Sequence, residues 1–154
     1  MKQTARLYVA VQFLLFGVLV AAFALVPLEQ PWLLRPFGFF WMLVGVVTVV
    51  IAIQEHRKTN PGMIHVTPEP NNRVPLVQSG LYRTIRHPIY TGVLIAALGV
   101  GIAHGSLLVL AISLVFIPFF TFKSRFEEQL LKTAYPEYPD YMQRTGRFVP
   151  PLKL

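Results

Sequence analysis

Three long apolar runs dominate the chain, and its polar residues are confined to blocks between them. Leu7 to Val26 holds Gln12 as its only strongly polar side chain. Phe37 to Ile53 is relieved only by Thr48. Ile89 to Phe122 is uncharged apart from His104. A helix needs roughly 20 apolar residues to cross a bilayer. The first two runs therefore predict one span each. The third is too long for one span and carries the turn signal "AHGS" at 103–106 in its middle. It predicts a tight helical hairpin. The expected fold is an all-α membrane protein with four transmembrane helices at about 7–26, 37–54, 88–103 and 106–122, in a single domain covering 1–154.

Composition agrees with this pattern. Hydrophobic residues make up 54 % of the chain and charged residues 14 %, with mean hydropathy +0.52. Soluble domains carry about 25 % charge. The first run follows Lys2 and Arg6, but it exceeds the ~7–15 apolar residues of a signal core and lacks a small-residue cleavage site. It is read as a retained span.

The net charge of +7 is distributed by side. With the N-terminus inside, thirteen basic residues fall inside and only Arg35 outside, as the positive-inside rule demands. The charge is thus a topological signal and gives no support for nucleic-acid binding. Both termini are expected in the cytoplasm. Zero cysteines exclude disulfides and thiolate chemistry.

Two inside segments carry the candidate chemistry. The first runs from about 54 to 88 and is rich in Pro, Asn and Gly, with apolar residues that suggest an ordered loop. It ends in "SGLYRTIRHPIYTG" at 79–92. Proline suits the first helical position, and the residue before it is pushed out of the helical region. His87 should therefore precede the helix and Pro88 should open it. A helix start offers unpaired N–H groups and a positive dipole end to a carboxylate or phosphate. Arg83 and Arg86 are expected to add charge there, Tyr90 a ring and a hydroxyl, and Gly92 a place for close approach.

The second segment is "KSRFEEQLL" at 123–131, continued by a tail rich in tyrosine. Lys123 and Glu127 are four apart and share a helix face, so an intrahelical ion pair is one reading. A short hairpin brings its two inside ends together. An anion site at His87–Pro88 and a carboxylate site at Glu127–Glu128 should then be neighbours. His104 is expected to cap the external turn. His56 and His65 lack a third ligand at metal-site spacing.

"LVQSGLYRTIRHPIYTG", an apolar hairpin and "EEQLLKTAYPEYPDYMQRTGRFVP" together resemble the isoprenylcysteine carboxyl methyltransferase family and the related phospholipid methyltransferases, over about residues 73–151. The resemblance implies a membrane-embedded methyltransferase using S-adenosyl-L-methionine. It implies cofactor contacts from Val74, Pro75, Leu76 and Val77, from Tyr82, from His87, Pro88, Ile89 and Tyr90, and from Glu127, with Glu128 beside it. It places a basic residue on the acceptor side four positions before the acid. Here that is Lys123 where arginine is the family's usual residue, and Arg125 is the nearby alternative. The partners implied are the lipid bilayer and a lipophilic methyl acceptor such as an isoprenylcysteine carboxylate, a lipid amine or a small thiol. The expected location is a bacterial inner membrane. The rival readings are an NADPH-dependent sterol-type reductase, a small four-span transporter and a non-enzymatic scaffold.

Overall fold

The computed structural model describes residues 2–28, 34–60 and 75–151. Val74, His65 and Trp32 lie outside these. The described residues form five α-helices: α1 (Lys2–Leu25), α2 (Arg35–Thr59), α3 (Pro88–His104), α4 (Leu107–Ala134) and α5 (Tyr138–Arg144), with a 3₁₀ turn at Gly80–Arg83. No strand appears among the described residues. α1, α2 and α4 are each long and apolar enough to cross a membrane, and α3 is a shorter apolar helix of 17 residues. Leu7, Phe13, Leu14, Phe40, Leu43, Leu114 and Phe122 are exposed on their outer faces, as lipid-facing side chains must be.

α4 runs well past the predicted end of its span. "KSRFEEQLLKTA" contains no breaker, and the helix stops at Ala134 because Tyr135 precedes Pro136 and adopts an extended conformation. The hairpin turn forms as its sequence suggests. Gly105 takes the left-handed conformation at φ 87°, and Ser106 caps α4 by accepting from the Leu108 N–H at 3.3 Å. His104 is fully buried here. Its Nδ1 accepts from the Ser106 N–H at 3.3 Å, and its Nε2 lies 3.0 Å from the Val26 carbonyl. It joins the end of α1 to the turn.

Lipid tails are as apolar as leucine, so helices in a membrane associate by close packing rather than by escape from water. α2 and α3 do this through small residues. Gly38 and Gly45 on α2 lie opposite Gly92, Ala96, Gly99 and Ala103 on α3, and Ala52, seven residues further along α2, packs with Val77, Tyr82 and Ile89. A Cβ added at Gly45 would lie 2.4 Å from the Ala96 nitrogen, and one at Gly92 would lie 2.6 Å from the Gly45 carbonyl oxygen. The close approach expected at Gly92 is therefore made by α2. On the other side of α3, Leu19, Leu94, Val109, Phe116 and Phe120 form a core with α1 and α4.

The tail folds back over the start of α3. The Arg86 and His87 N–H groups donate to the Gly146 and Arg147 carbonyls at 2.8 and 3.1 Å, and the Gly146 N–H donates to the Thr84 carbonyl at 2.9 Å. Thr91 Oγ1 donates to the Phe148 carbonyl at 2.7 Å.

Gly45→Val should force α2 and α3 apart and lower stability by about 1–3 kcal/mol or more. Gly17→Val, where an added Cβ meets nothing within 4 Å, should change little. Thermal unfolding of both variants in detergent checks this.

Candidate functional site

His87 is the N-cap of α3 and Pro88 its first residue, as the proline requires. The end of α4 lies beside it. Glu127 and Glu128 are consecutive, so their side chains diverge by about 100° around the helix and meet different partners.

Glu128 is gripped by arginines. Arg86 Nε donates to its Oε1 at 2.9 Å, and Arg147 donates to it from Nε at 3.3 Å and Nη2 at 2.6 Å. Arg86 Nη1 also donates to the carbonyls of Met142, at 3.2 Å, and Thr145. Side-chain exposure is 5 % for Glu128, 9 % for Arg86 and 27 % for Arg147. This ion cluster ties α3, α4 and the tail together. The sequence reading expected Arg83 and Arg86 to strengthen an anion site at the helix start. Instead Arg86 is neutralised within the protein, and Arg83 is exposed.

Glu127 faces a different set. Tyr90 Oη donates to its Oε1 at 2.5 Å. His87 Nδ1 lies 3.7 Å from its Oε2, and Lys123 Nζ lies 4.0 Å from its Oε1. The His87 and Tyr90 rings stack with centroids 5.4 Å apart and planes within 2°. His87 Nε2 is 3.4 Å from Glu128 Oε1 but out of hydrogen-bonding alignment, and among the described residues it has no hydrogen-bond partner.

Lys123 is 2 % exposed. Its ammonium donates to Gln12 Oε1 of α1 at 2.5 Å and sits 5.1 Å from the centre of the Tyr90 ring. The one strongly polar side chain of the first apolar run thus serves the charged cluster. Arg125 points elsewhere. It is exposed and lies over the Phe122 ring at 5.9 Å, away from Glu127.

A cleft with about 210 Å³ of interior space, open at its mouth, adjoins Glu127. Of the residues singled out from sequence, Pro75, Leu76, Val77, Tyr82, Arg86, His87, Ile89, Tyr90 and Glu127 line it, with the Arg86 charge already matched by Glu128. Pro88, Glu128, Lys123 and Arg125 do not. His56 and Asn60 of α2, Leu131 of α4, and Tyr135, Tyr138 and Tyr141 of the tail complete the wall. Their sequence signals were weak: a four-residue spacing for the α2 pair and a three-residue spacing for the tyrosines.

Tyr141 Oη donates to the Tyr82 carbonyl at 2.6 Å, fastening tail to loop. Burial pushes the Tyr141 phenol up to about 12, and raises those of Tyr82 and Tyr138 further. All three stay protonated at neutral pH and act as donors and rings. Asn60 is 8 % exposed, and its Oδ1 has no hydrogen-bond partner among the described residues. No group of three metal-ligating side chains occurs among the described residues.

Taken together, these features define a membrane-embedded protein with an open-mouthed aromatic cleft at one end of its helices, carrying one carboxylate among the described residues. The phospholipid methyltransferase family model matches residues 34–138, more than half of the chain, and the protein belongs to that family. It is 29 % identical over 125 residues to protein-S-isoprenylcysteine O-methyltransferase B of Arabidopsis thaliana, covering 80 % of this chain and 62 % of that protein. It is 27 % identical over 143 residues to the probable protein-S-isoprenylcysteine O-methyltransferase of Oryza sativa subsp. indica, covering 92 % and 74 %. It is 37 % identical over 92 residues to the cobalt-zinc-cadmium resistance protein CzcN of Cupriavidus metallidurans, covering 59 % and 42 %. The chain therefore spans less than two thirds of the length of two of these three relatives, 62 % and 42 %.

Removing one partner from a buried ion cluster strands the others and costs about 3–5 kcal/mol. Glu128→Gln should approach that loss, lessened by the exposure of Arg147. Arg125→Ala, on an exposed face, should stay within about 0.5 kcal/mol of the parent. Denaturant titration of both variants in detergent decides this.

Proposed function

We propose that this protein transfers a methyl group from S-adenosyl-L-methionine to a lipophilic acceptor held at the membrane boundary. The observation that carries the reading is the cleft beside Glu127. It is lined by aromatic side chains and formed by the same loop, helix start and post-hairpin acid that the family resemblance names.

The residues fit the donor. Its adenosyl and amino-acid parts carry a flat ring, hydroxyls, an ammonium and a carboxylate. Glu127 accepts from hydroxyl or ammonium donors. The first turn of α3 presents amides to a carboxylate. Tyr82, Tyr138 and Tyr141 give rings to an adenine or a sulfonium, and Asn60 presents an acceptor with no partner among the described residues. When bound, the donor supplies a methyl carbon already activated on a positive sulfur. The protein's own task is then alignment and exclusion of water. The apolar and aromatic walls exclude water, and the stacked His87 and Tyr90 hold the Glu127 carboxylate in place.

Lys123 lies one helical turn deeper along α4 than Glu127, toward the apolar core. Buried against Gln12 and Tyr90 and outside the cleft, it acts on the acceptor's developing charge through the field it sets at Tyr90 and Glu127. Lysine offers a point charge where arginine would grip a carboxylate with two parallel bonds. The reading also includes α3 as a fourth crossing helix and the cleft facing the cytoplasm. The printed names of the plant relatives favour an isoprenylcysteine carboxylate as acceptor, and the family name favours a lipid headgroup.

Calorimetric titration of detergent-solubilised protein with S-adenosylhomocysteine should give saturable binding. Glu127→Gln should weaken it by roughly 10- to 100-fold, as expected for losing a charge-assisted hydrogen bond. No binding to the parent at millimolar ligand would overturn the proposal. Unchanged affinity in Glu127→Gln would remove that residue from the site.

A further inference from the structure

The α2 wall of the cleft holds a polar atom that nothing in the fold accounts for. Asn60 follows the last residue of α2, and its backbone N–H closes the helix by donating to the His56 carbonyl at 2.9 Å. Its side chain is more than nine-tenths buried and lines the cleft, and its Oδ1 has no hydrogen-bond partner among the described residues. Leaving a buried acceptor unpaired costs about 1–3 kcal/mol, so a ligand that supplies a donor recovers that cost.

The surroundings identify the donor. His56, one turn earlier on the same face of α2, lies 6.2 Å from Tyr82 between ring centroids, with the two planes tilted by 49°. Val77 and Ile89 join them in the wall. This end of the cleft is flat-faced and apolar, with one carboxamide in it. A carboxamide presents an acceptor and a donor side by side, which matches the N6 amine and the neighbouring ring nitrogen of adenine. The hydroxyls of a ribose are better served by the carboxylate of Glu127.

We infer that Asn60 is a specificity-determining residue, its Oδ1 accepting a hydrogen bond from the exocyclic amine of an adenine ring laid against His56 and Tyr82. The inference rests on the proposed methyl donor and adds the residue that reads its base. Neither the motif around Pro88 nor the acids after the hairpin include this position.

Two ligands and two proteins test it by calorimetry: S-adenosylhomocysteine and its analogue with hydrogen in place of the 6-amino group, each against parent and Asn60→Ala. The parent should bind the analogue roughly 10-fold or more weakly, the cost of stranding one buried acceptor. Asn60→Ala should bind both ligands within about 2-fold of each other, because the two deletions remove the same bond. Asn60→Asp, which keeps an acceptor oxygen, should retain the preference for the amine. If Asn60→Ala does not fold, Asn60→Ser is used in its place with the same expectation. Equal binding of the two ligands by the parent would overturn the assignment, as would an undiminished preference in the Ala or Ser variant. Either result leaves the methyl-donor reading intact. Failure of the parent to bind S-adenosylhomocysteine at all would overturn both.

Discussion

The Glu128 ion cluster is the constraint on which the site depends. Glu128 on α4 holds Arg86, which precedes α3, and Arg147, which lies in the tail. Without it, three segments far apart in sequence have no common point of attachment. With it, the tail lies against residues 84–87, Tyr141 reaches Tyr82, and the wall of the cleft closes. Buried ion pairs seldom add much net stability, because desolvation offsets their attraction. Here the cluster acts through geometry, by bringing Glu127 to the cleft in a defined orientation.

The adjacent acids show how one residue of offset changes the partners a carboxylate meets. Glu128 is saturated by arginine donors. Glu127 keeps one strong donor, Tyr90, with His87 and Lys123 at longer range. The polar groups form a chain from Gln12 in the first apolar helix through Lys123 and Tyr90 to Glu127. That chain connects the lipid-facing interior to the cleft. A reaction between a water-soluble donor and a lipid-soluble acceptor requires such a meeting place.

Local features were legible in the sequence. Pro88 marked the start of α3, "AHGS" marked the turn, and the apolar runs marked the helices. Each depends on neighbours in the chain. The loop residues Pro75 to Val77, with Tyr82, His87, Tyr90 and Glu127, were named through a family resemblance and do lie together. What stayed hidden depends on distant contacts. Nothing adjacent to Arg86 shows that its charge is matched by Glu128, forty-two residues on. That Lys123 turns inward and Arg125 outward depends on which helix face meets α1. Asn60 gave only a weak signal, because spacing does not show that a buried side-chain oxygen lacks a partner. The glycines of α2 read as ordinary apolar residues until α3 lay against them.

The most direct test is hydrogen exchange at the Arg86 and His87 amides, which donate to the tail carbonyls, read by mass spectrometry in detergent with and without S-adenosylhomocysteine. If the clamped tail forms one wall of the ligand's site, exchange of the peptides covering 82–88 and 138–148 should slow together when ligand is added, and should quicken together in Glu128→Gln. Exchange at both segments that ignores the ligand, or tail exchange that is indifferent to Glu128, would contradict the account.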